Sequence, residues 1–178
     1  MAQKTIPSGA RRLAKTDYRN LMRRRIRRIL LICSSYDAYT LEEDGRLEVQ
    51  LNHEYMELNL SNPPSFTRVS SSTEALELLQ GENDFDLVIS MFNVGDLDVF
   101  HFSKQLKALH PEIPFVLLTN FSKDIYRRIE GEDRSAIDYI FSWHGNADLI
   151  LAIVKLIEDR MNADDDILGV CLQSILLV

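Results

Sequence analysis

Five short apolar runs recur along the chain and alternate with stretches whose apolar residues follow a helical spacing. The runs cover residues 29–33, 66–70, 87–89, 115–119 and 137–141. Continuous apolar runs of this length are typical of parallel strands that are buried on both faces. The alternation over residues 29–162 therefore predicts an α/β domain with a five-stranded parallel sheet and helices on both faces.

Capping residues and chain breakers mark the segments between the strands. Helices are predicted from Thr16 to about Arg28, over 46–58, over 73–80 behind the capping box Ser71-x-x-Glu74, from Ser122 to about residue 130, and from Asn146 to about Asn162. Residues 36–45 are predicted to form a long loop after the first strand. The acidic triplet 164–166 is predicted to be a linker, and 170–178 a further apolar strand.

The segment DLVISMFNVGDLDVFHFSKQLKAL, residues 86–109, reads as a strand, a loop and a helix. The carboxyl end of such a strand is where an open α/β sheet normally places its ligand site. The residue at that end is Met91, whose thioether can neither accept a phosphoryl group nor bind a hard cation. This position decides most of the functional interpretation.

Composition and length set the class of protein. The 178 residues are 46% hydrophobic and 26% charged, as in a globular domain with extensions, and no apolar run approaches the roughly 18 residues of a membrane span. We therefore expect a cytoplasmic protein without membrane contact. Cys33 and Cys171 lie in apolar runs and are interpreted as small buried side chains.

Charge is divided unevenly along the chain. Residues 1–28 contain ten Lys and Arg and one Asp, a net +9, so the remaining residues carry −16 of the total −7. A basic arm on an acidic body can bind nucleic acid or an anionic surface. Because the arm lacks interleaved aromatic residues for base stacking, nucleic-acid binding is unlikely, and docking on the acidic domain itself or on a following domain is favoured.

Residues 29–162, and above all DFDLVISMFNVGDLDVFHFSKQLKALHPEIPFVLLT, resemble a response-regulator receiver domain. The resemblance implies the flavodoxin-like fold of that family, with the strand order 2-1-3-4-5. It also implies a phosphorylation site made of an acidic pair after the first strand, an aspartate after the third, a Ser or Thr after the fourth and a lysine after the fifth. In active members the acidic residues hold Mg²⁺ and the aspartate accepts the phosphoryl group.

Position by position, this chain departs from the phosphorylation pattern. The resemblance places the acidic pair at Ser34 and Ser35, the phosphoacceptor at Met91 and the lysine at Ser142. After Ser142, Trp143 replaces the usual proline. We therefore predict a vestigial receiver site, with no catalytic residue, no metal and no cofactor.

Two switch-like positions keep the residue types of the family. Thr119 matches the signalling hydroxyl after the fourth strand, and Tyr139 matches the aromatic residue of the fifth strand. Both residues also suit strand positions for purely structural reasons. Their presence is thus compatible with a retained conformational relay or with simple strand packing.

The stretch MRRRIRRILLICSSYDAYTLEEDGR is similar to the beginning of multidomain proteins with a pyruvate phosphate dikinase-type, PEP/pyruvate-binding region, in which a degenerate receiver comes first. The expected division is a basic arm and helix at 1–28, a receiver-like domain at 29–162, and an acidic linker with the first strand of a following domain at 163–178. A fragment of a larger protein is therefore expected.

The favoured hypothesis is a phosphorylation-independent pseudo-receiver, a regulatory or interaction module of a larger signalling or PEP/pyruvate-utilising protein. Its partners would be downstream domains of the same polypeptide or a second copy in a homodimer. One alternative is an unorthodox phosphorylatable site that uses Asp37, Asp96 and Asp98. The other is nucleic-acid binding through residues 11–28. The four histidines show no metal-ligand spacing, and no case for an isolated enzyme exists.

Overall fold

Five strands and six helices alternate along the part of the chain that the computed structural model describes, residues 23–43, 47–58, 60, 62–81, 84–119, 122–144 and 147–170. The elements are β1 (Arg28–Ile32), α1 (Ser35–Glu43), α2 (Leu47–Glu57), β2 (Ser65–Val69), α3 (Ser72–Gln80), β3 (Leu87–Met91), α4 (Val99–Leu109), β4 (Phe115–Thr119), α5 (Lys123–Gly131), β5 (Tyr139–Ser142) and α6 (Ala147–Val170).

The strands form one parallel sheet in the order β2-β1-β3-β4-β5, which confirms the predicted topology. β1 and β3 are neighbours, with Ile29 opposite Leu87 and Ile32 opposite Ser90, and neither is an edge strand. All residues of β3 and β4 are buried. These strands are apolar because side chains on both of their faces pack against helices rather than water.

Two of the predicted helix starts have the expected caps. The Ser71 hydroxyl accepts from the Glu74 amide at 3.1 Å, so the serine half of the capping box is formed, and the Glu74 carboxylate accepts from the amide of Ser70, one residue before the cap, at 3.2 Å. Ser122 caps α5 through the Ile125 amide. At the far end of α3, Gly81 donates to the Leu78 carbonyl.

The long loop predicted at 36–45 is wrong, because residues 35–43 form helix α1. The Ser34 hydroxyl accepts from the Asp37 amide at 3.1 Å and donates to the Asp37 carboxylate at 2.7 Å. The Ser34 carbonyl accepts from Ala38 at 2.9 Å. Ser34 is therefore a helix cap, a role compatible with a serine that directly follows a strand.

The predicted helix from Thr16 to Arg28 is wrong over its described part, since residues 23–27 are not helical and β1 begins at Arg28. The backbone there bonds to α6 instead. The Arg24 amide donates to the Asn162 side-chain oxygen at 2.8 Å, and the Ile26 amide donates to the buried Glu158 carboxylate at 3.0 Å. Residues 16–22 lie outside the described residues.

The last helix does not end near Asn162 but continues to Val170, so the predicted linker at 164–166 is helical. No proline interrupts the chain between residues 162 and 170, and the acidic triplet alone does not stop the helix. Of the predicted strand at 170–178, Val170 is the last residue of α6, and residues 171–178 lie outside the described residues. β3 and β5 both end one or two residues later than predicted, at Met91 and Ser142.

Asn162 is the side chain that fastens the chain before β1 to α6, and its removal should destabilise the domain. It is 1% exposed, accepts from the Arg24 amide, and donates to the carbonyls of Arg24 and Glu158 at 2.8 and 2.7 Å. Asn162→Ala should lower the free energy of unfolding in urea by about 1–3 kcal/mol, because buried polar groups lose their partners.

The matched control is Asp159→Ala, which truncates an exposed side chain on the same helix. Its effect should stay within about 0.5 kcal/mol. If both variants lost the same free energy of unfolding, the hydrogen bonds between Asn162 and residue 24 would not be what holds the chain before β1 on α6.

Candidate functional site

The carboxyl edge of the sheet holds the position predicted to be the centre of the site. Met91 is the last residue of β3 and is 5% exposed. Its strand partner is Leu118 of β4, and its carbonyl accepts from the Ser90 hydroxyl at 3.0 Å. The side chain thus ends the central strand as part of the core, and its sulfur is not an oxygen ligand for a hard cation.

The two serines predicted at the acidic-pair position belong to the start of α1. Ser34 caps the helix, and Ser35 is the first residue of its first turn and is exposed. One residue earlier, Cys33 is a buried thiol. Cys33 follows Ile32, the partner of Ser90, and so leaves the sheet at the same level as Met91. Uncharged side chains therefore follow β1.

Thr119 and Ser142 end the two neighbouring strands and are paired in the sheet. Thr119 is 3% exposed, and its carbonyl accepts from the Trp143 amide at 2.8 Å. The Ser142 hydroxyl lies 3.0 Å from the His144 Nε2 atom. The structure therefore brings both residues to the edge where β3 ends, and Ser142 places a neutral hydroxyl there.

A cavity of about 60 Å³ lies at the mouth of this edge. The lining residues come from α1, β3, β4 and the loops that follow the strands: Asp37, Met91, Phe92, Asn93, Leu118, Thr119 and Trp143. Only one of them is a carboxylate. Among the described residues, no group of three or more His, Cys, Asp or Glu side chains could hold a metal ion.

Asp37 reaches this cavity because α1 is a helix, which the sequence interpretation missed. In an extended loop Asp37 lies beyond the pair position, whereas one helical turn after Ser34 brings it back toward the sheet. A Ser followed three residues later by an acid is a weak capping signal that could have indicated this turn. The Asp37 carboxylate accepts from the Ser34 hydroxyl and so has a neutral partner.

Asp96, proposed for the unorthodox site, turns away from Met91 and bonds the first turn of α3. Its carboxylate accepts from the amides of Ser72 and Thr73, each at 2.9 Å, and from the Thr73 hydroxyl at 2.8 Å. Partial desolvation acts to raise the pKa of Asp96, but the hydrogen bonds from Thr73 and Ser72 outweigh it and hold the pKa at about 2.

Asp98 likewise stabilises the surrounding helices. It caps α4 by accepting from the amides of Phe100 and His101 at 2.9 and 3.4 Å. Its second oxygen accepts from the Arg128 guanidinium of α5 at 2.5 Å. The structure therefore does not gather Asp37, Asp96 and Asp98 into one cluster.

Tyr139 does not meet Thr119. Tyr139 pairs with Val116, whereas Thr119 lies three residues further along β4, so the pleat directs the two side chains to opposite faces. Tyr139 stacks on Phe141 with ring centroids 6.0 Å apart, and the Arg160 guanidinium of α6 lies 5.6 Å from its ring centroid. The two switch-like residues are thus part of different side-chain layers.

No family model matches the sequence, and no curated protein matches it. Among solved structures, the chain is similar to a response-regulator receiver protein from Methanospirillum hungatei JF-1, at 14% identity and a TM-score of 0.58 over 78% of this chain and 98% of that one. A receiver protein from Sinorhizobium medicae WSM419 gives 18% identity and a TM-score of 0.54 over 75% of this chain and 95% of that one.

A third similar structure comes from a family described as redox sensors in the streptococci that evolved from two-component response regulators. It is 18% identical with a TM-score of 0.59, and the alignment covers 85% of this chain and 57% of that one. At these identities the comparisons show the fold alone, and the chain has the receiver-like fold. No helix among the described residues has the length and apolar character needed to cross a bilayer.

The capping role of Asp96 predicts a specific acid dependence of stability. Because the folded pKa of about 2 lies below the ordinary value of 3.8, the stabilisation is complete above pH 4 and is lost as the pH falls toward 2. Asp96→Ala should cost about 1 kcal/mol at pH 7, and the difference from wild type should shrink between pH 4 and pH 2.

Urea unfolding at several pH values measures both quantities. The control is Glu77→Ala, which removes an exposed carboxylate from α3, the helix that Asp96 caps. We expect no comparable loss in its free energy of unfolding. A difference between wild type and Asp96→Ala that stays constant down to pH 2 would contradict the capping role.

Proposed function

We propose that the chain is a pseudo-receiver, a regulatory or interaction module that works without phosphorylation. The observation that carries this proposal is the buried Met91 side chain at the end of β3. Phosphoryl transfer to a receiver needs an acceptor oxygen at this position and a cation beside it. A thioether supplies neither the bond-forming atom nor a ligand for Mg²⁺.

The surroundings of Met91 support the same conclusion. Ser34 is engaged in capping α1, and Ser142 offers a neutral hydroxyl. The 60 Å³ cavity is bounded by the aromatic side chains of Phe92 and Trp143 in addition to Met91. A phosphoryl group and a hydrated cation together carry several formal charges, which this mostly uncharged lining does not balance.

The unorthodox alternative, an acyl phosphate on Asp37, Asp96 or Asp98, has less support. The carboxylate of Asp96 accepts hydrogen bonds from amides of α3, and that of Asp98 accepts from an amide of α4 and from Arg128. Asp37 is the one carboxylate in the cavity lining, so no second carboxylate there would help it hold Mg²⁺. The other alternative is nucleic-acid binding through the basic arm. Residues 1–22 of that arm lie outside the described residues.

The streptococcal neighbour provides a parallel by its description, since its family is said to have evolved from response regulators into redox sensors. We further propose that this module lies in the cytoplasm within a larger signalling or PEP/pyruvate-utilising protein, with the basic arm before the domain. Its partners are then downstream domains of the same polypeptide or a second copy. We assign the module no enzymatic activity of its own.

Wild-type protein incubated with acetyl phosphate and Mg²⁺ should show no mass increase, and beryllium fluoride with Mg²⁺ should not raise its melting temperature. The physical reason is the absence of an acceptor oxygen at residue 91 and of a charged cation site around it. An active receiver domain treated in parallel is the positive control. A phosphate-mass adduct on any aspartate of this chain would overturn the proposal.

Met91→Asp alone should not restore phosphorylation, because the other charged groups are still missing. It should also lower the melting temperature, since it buries a carboxylate without a cationic partner. The matched variant adds Ser34→Asp, Ser35→Asp and Ser142→Lys to Met91→Asp. We expect only this fourfold variant to gain Mg²⁺-dependent stabilisation by beryllium fluoride. The same response from Met91→Asp alone would mean that the native surroundings already hold the cation.

A further inference from the structure

A second cavity, of about 180 Å³, lies between α5 and the ends of β4 and β5. We call it the α5 cavity. Its walls are mainly isoleucine side chains, with two hydroxyls and two polar residues completing the lining: Ile125, Ile129, Ile140, Thr119, Ser122, Tyr126 and Arg134. Thr119 also lines the small cavity beside Met91, so the two cavities share one buried side chain.

The α5 cavity exists because α5 covers the sheet with few apolar residues. Ile129 is the buried residue of this helix, Ile125 is half-buried, and the other described positions are exposed. Protein interiors rarely contain voids much larger than a water molecule. An engineered cavity of about 150 Å³ with aliphatic walls is known to bind benzene. The α5 cavity is partly open to solvent at Ser122, Tyr126 and Arg134, and its volume is large enough for one six-membered ring.

Charge at the rim distinguishes this cavity from a purely apolar void. Arg134 is the one charged residue in the lining and makes no ion pair with any described residue. By contrast, Arg128 of α5 is engaged in an ion pair with Asp98 and does not line the cavity. Glu130 accepts a hydrogen bond from the Tyr126 hydroxyl, which raises the pKa of that phenol. Arg134 is thus available to an external anion.

We propose that the α5 cavity binds a small carboxylic acid with one aromatic ring, the ring between α5 and the sheet and the carboxylate at Arg134. Such a ligand would supply contacts that α5 lacks and would act next to Thr119. The bound acid would be a regulatory input, additional to the proposed function, for a module that takes no phosphoryl group.

Phenylacetate is the probe, and 2-phenylethanol is its neutral counterpart. Calorimetric titration should show saturable binding of phenylacetate to the wild-type chain, tighter than that of 2-phenylethanol. Amide hydrogen exchange within residues 123–131 should slow in the complex, because a filled cavity holds α5 on the sheet. The absence of saturable binding, or equal affinity for the two compounds, would overturn the proposal.

Two pairs of variants locate the site. Ile125→Phe fills the cavity and should weaken binding at least tenfold, whereas Leu109→Phe, at a half-exposed position of α4 outside the lining, should not. Arg134→Gln should weaken phenylacetate about threefold to fivefold, the effect of an exposed ion pair, and leave 2-phenylethanol unchanged. Arg127→Gln, on α5 but outside the lining, is its control. Control variants that weaken binding as much as their partners would contradict the placement.

This test is independent of the phosphorylation test. Labelling by acetyl phosphate would overturn the pseudo-receiver proposal and leave phenylacetate binding to be judged on its own result. Conversely, a chain that takes up neither phosphate nor phenylacetate would support the pseudo-receiver proposal and refute the ligand site.

Discussion

Complete burial of β3 is the constraint on which the rest of the carboxyl edge depends. All five residues of this strand are buried, including Met91 at its end. An ionised side chain there would cost several kcal/mol unless a cation and hydrogen bonds compensated for it. A thioether needs no such compensation. The neutral residues at Ser34, Ser35 and Ser142 are therefore physically consistent with Met91, because charges beside an uncharged centre would repel one another or stay unpaired.

Carboxylates are still plentiful around this edge, but they stabilise helices instead of a cation. Asp96 bonds the first amides of α3, and Asp98 caps α4 and pairs with Arg128 of α5. The loop after β3 thus connects three helices through two side chains. A carboxylate that accepts two backbone amides is held in one orientation, so these groups cannot turn toward Met91 without uncapping a helix. Their number in the sequence says little about metal binding.

The sheet could be predicted from the sequence because its strands are continuous apolar runs, a pattern that burial on both faces requires. The errors fall where a side chain bonds the backbone of another segment. Ser34 starts α1 by a local cap, and Asn162 and Glu158 hold residues 24 and 26 in an extended form although that basic stretch suits a helix. For the candidate site, the sequence shows which residue types follow each strand, but it does not show that Asp37 lines the cavity, because that position depends on helix α1. The α5 cavity depends on packing across β4 and β5, which periodicity does not reveal.

The buried contacts that hold the helices to the sheet are distributed unequally, and this bears on how the proposed regulatory module could transmit a signal. α4 buries five residues against the core, whereas α5 buries Ile129, packs the half-buried Ile125 against the core, and is otherwise held by the Ser122 cap and the Arg128–Asp98 ion pair. Exposed caps and ion pairs each contribute on the order of 1 kcal/mol, so α5 should open at a lower free energy than the sheet beneath it. Because α5 lies over Thr119, any ligand or partner that prefers one position of α5 would change the surroundings of that residue. Regulation through this helix needs no charge at residue 91, since the energy comes from contacts that α5 lacks in the unliganded state.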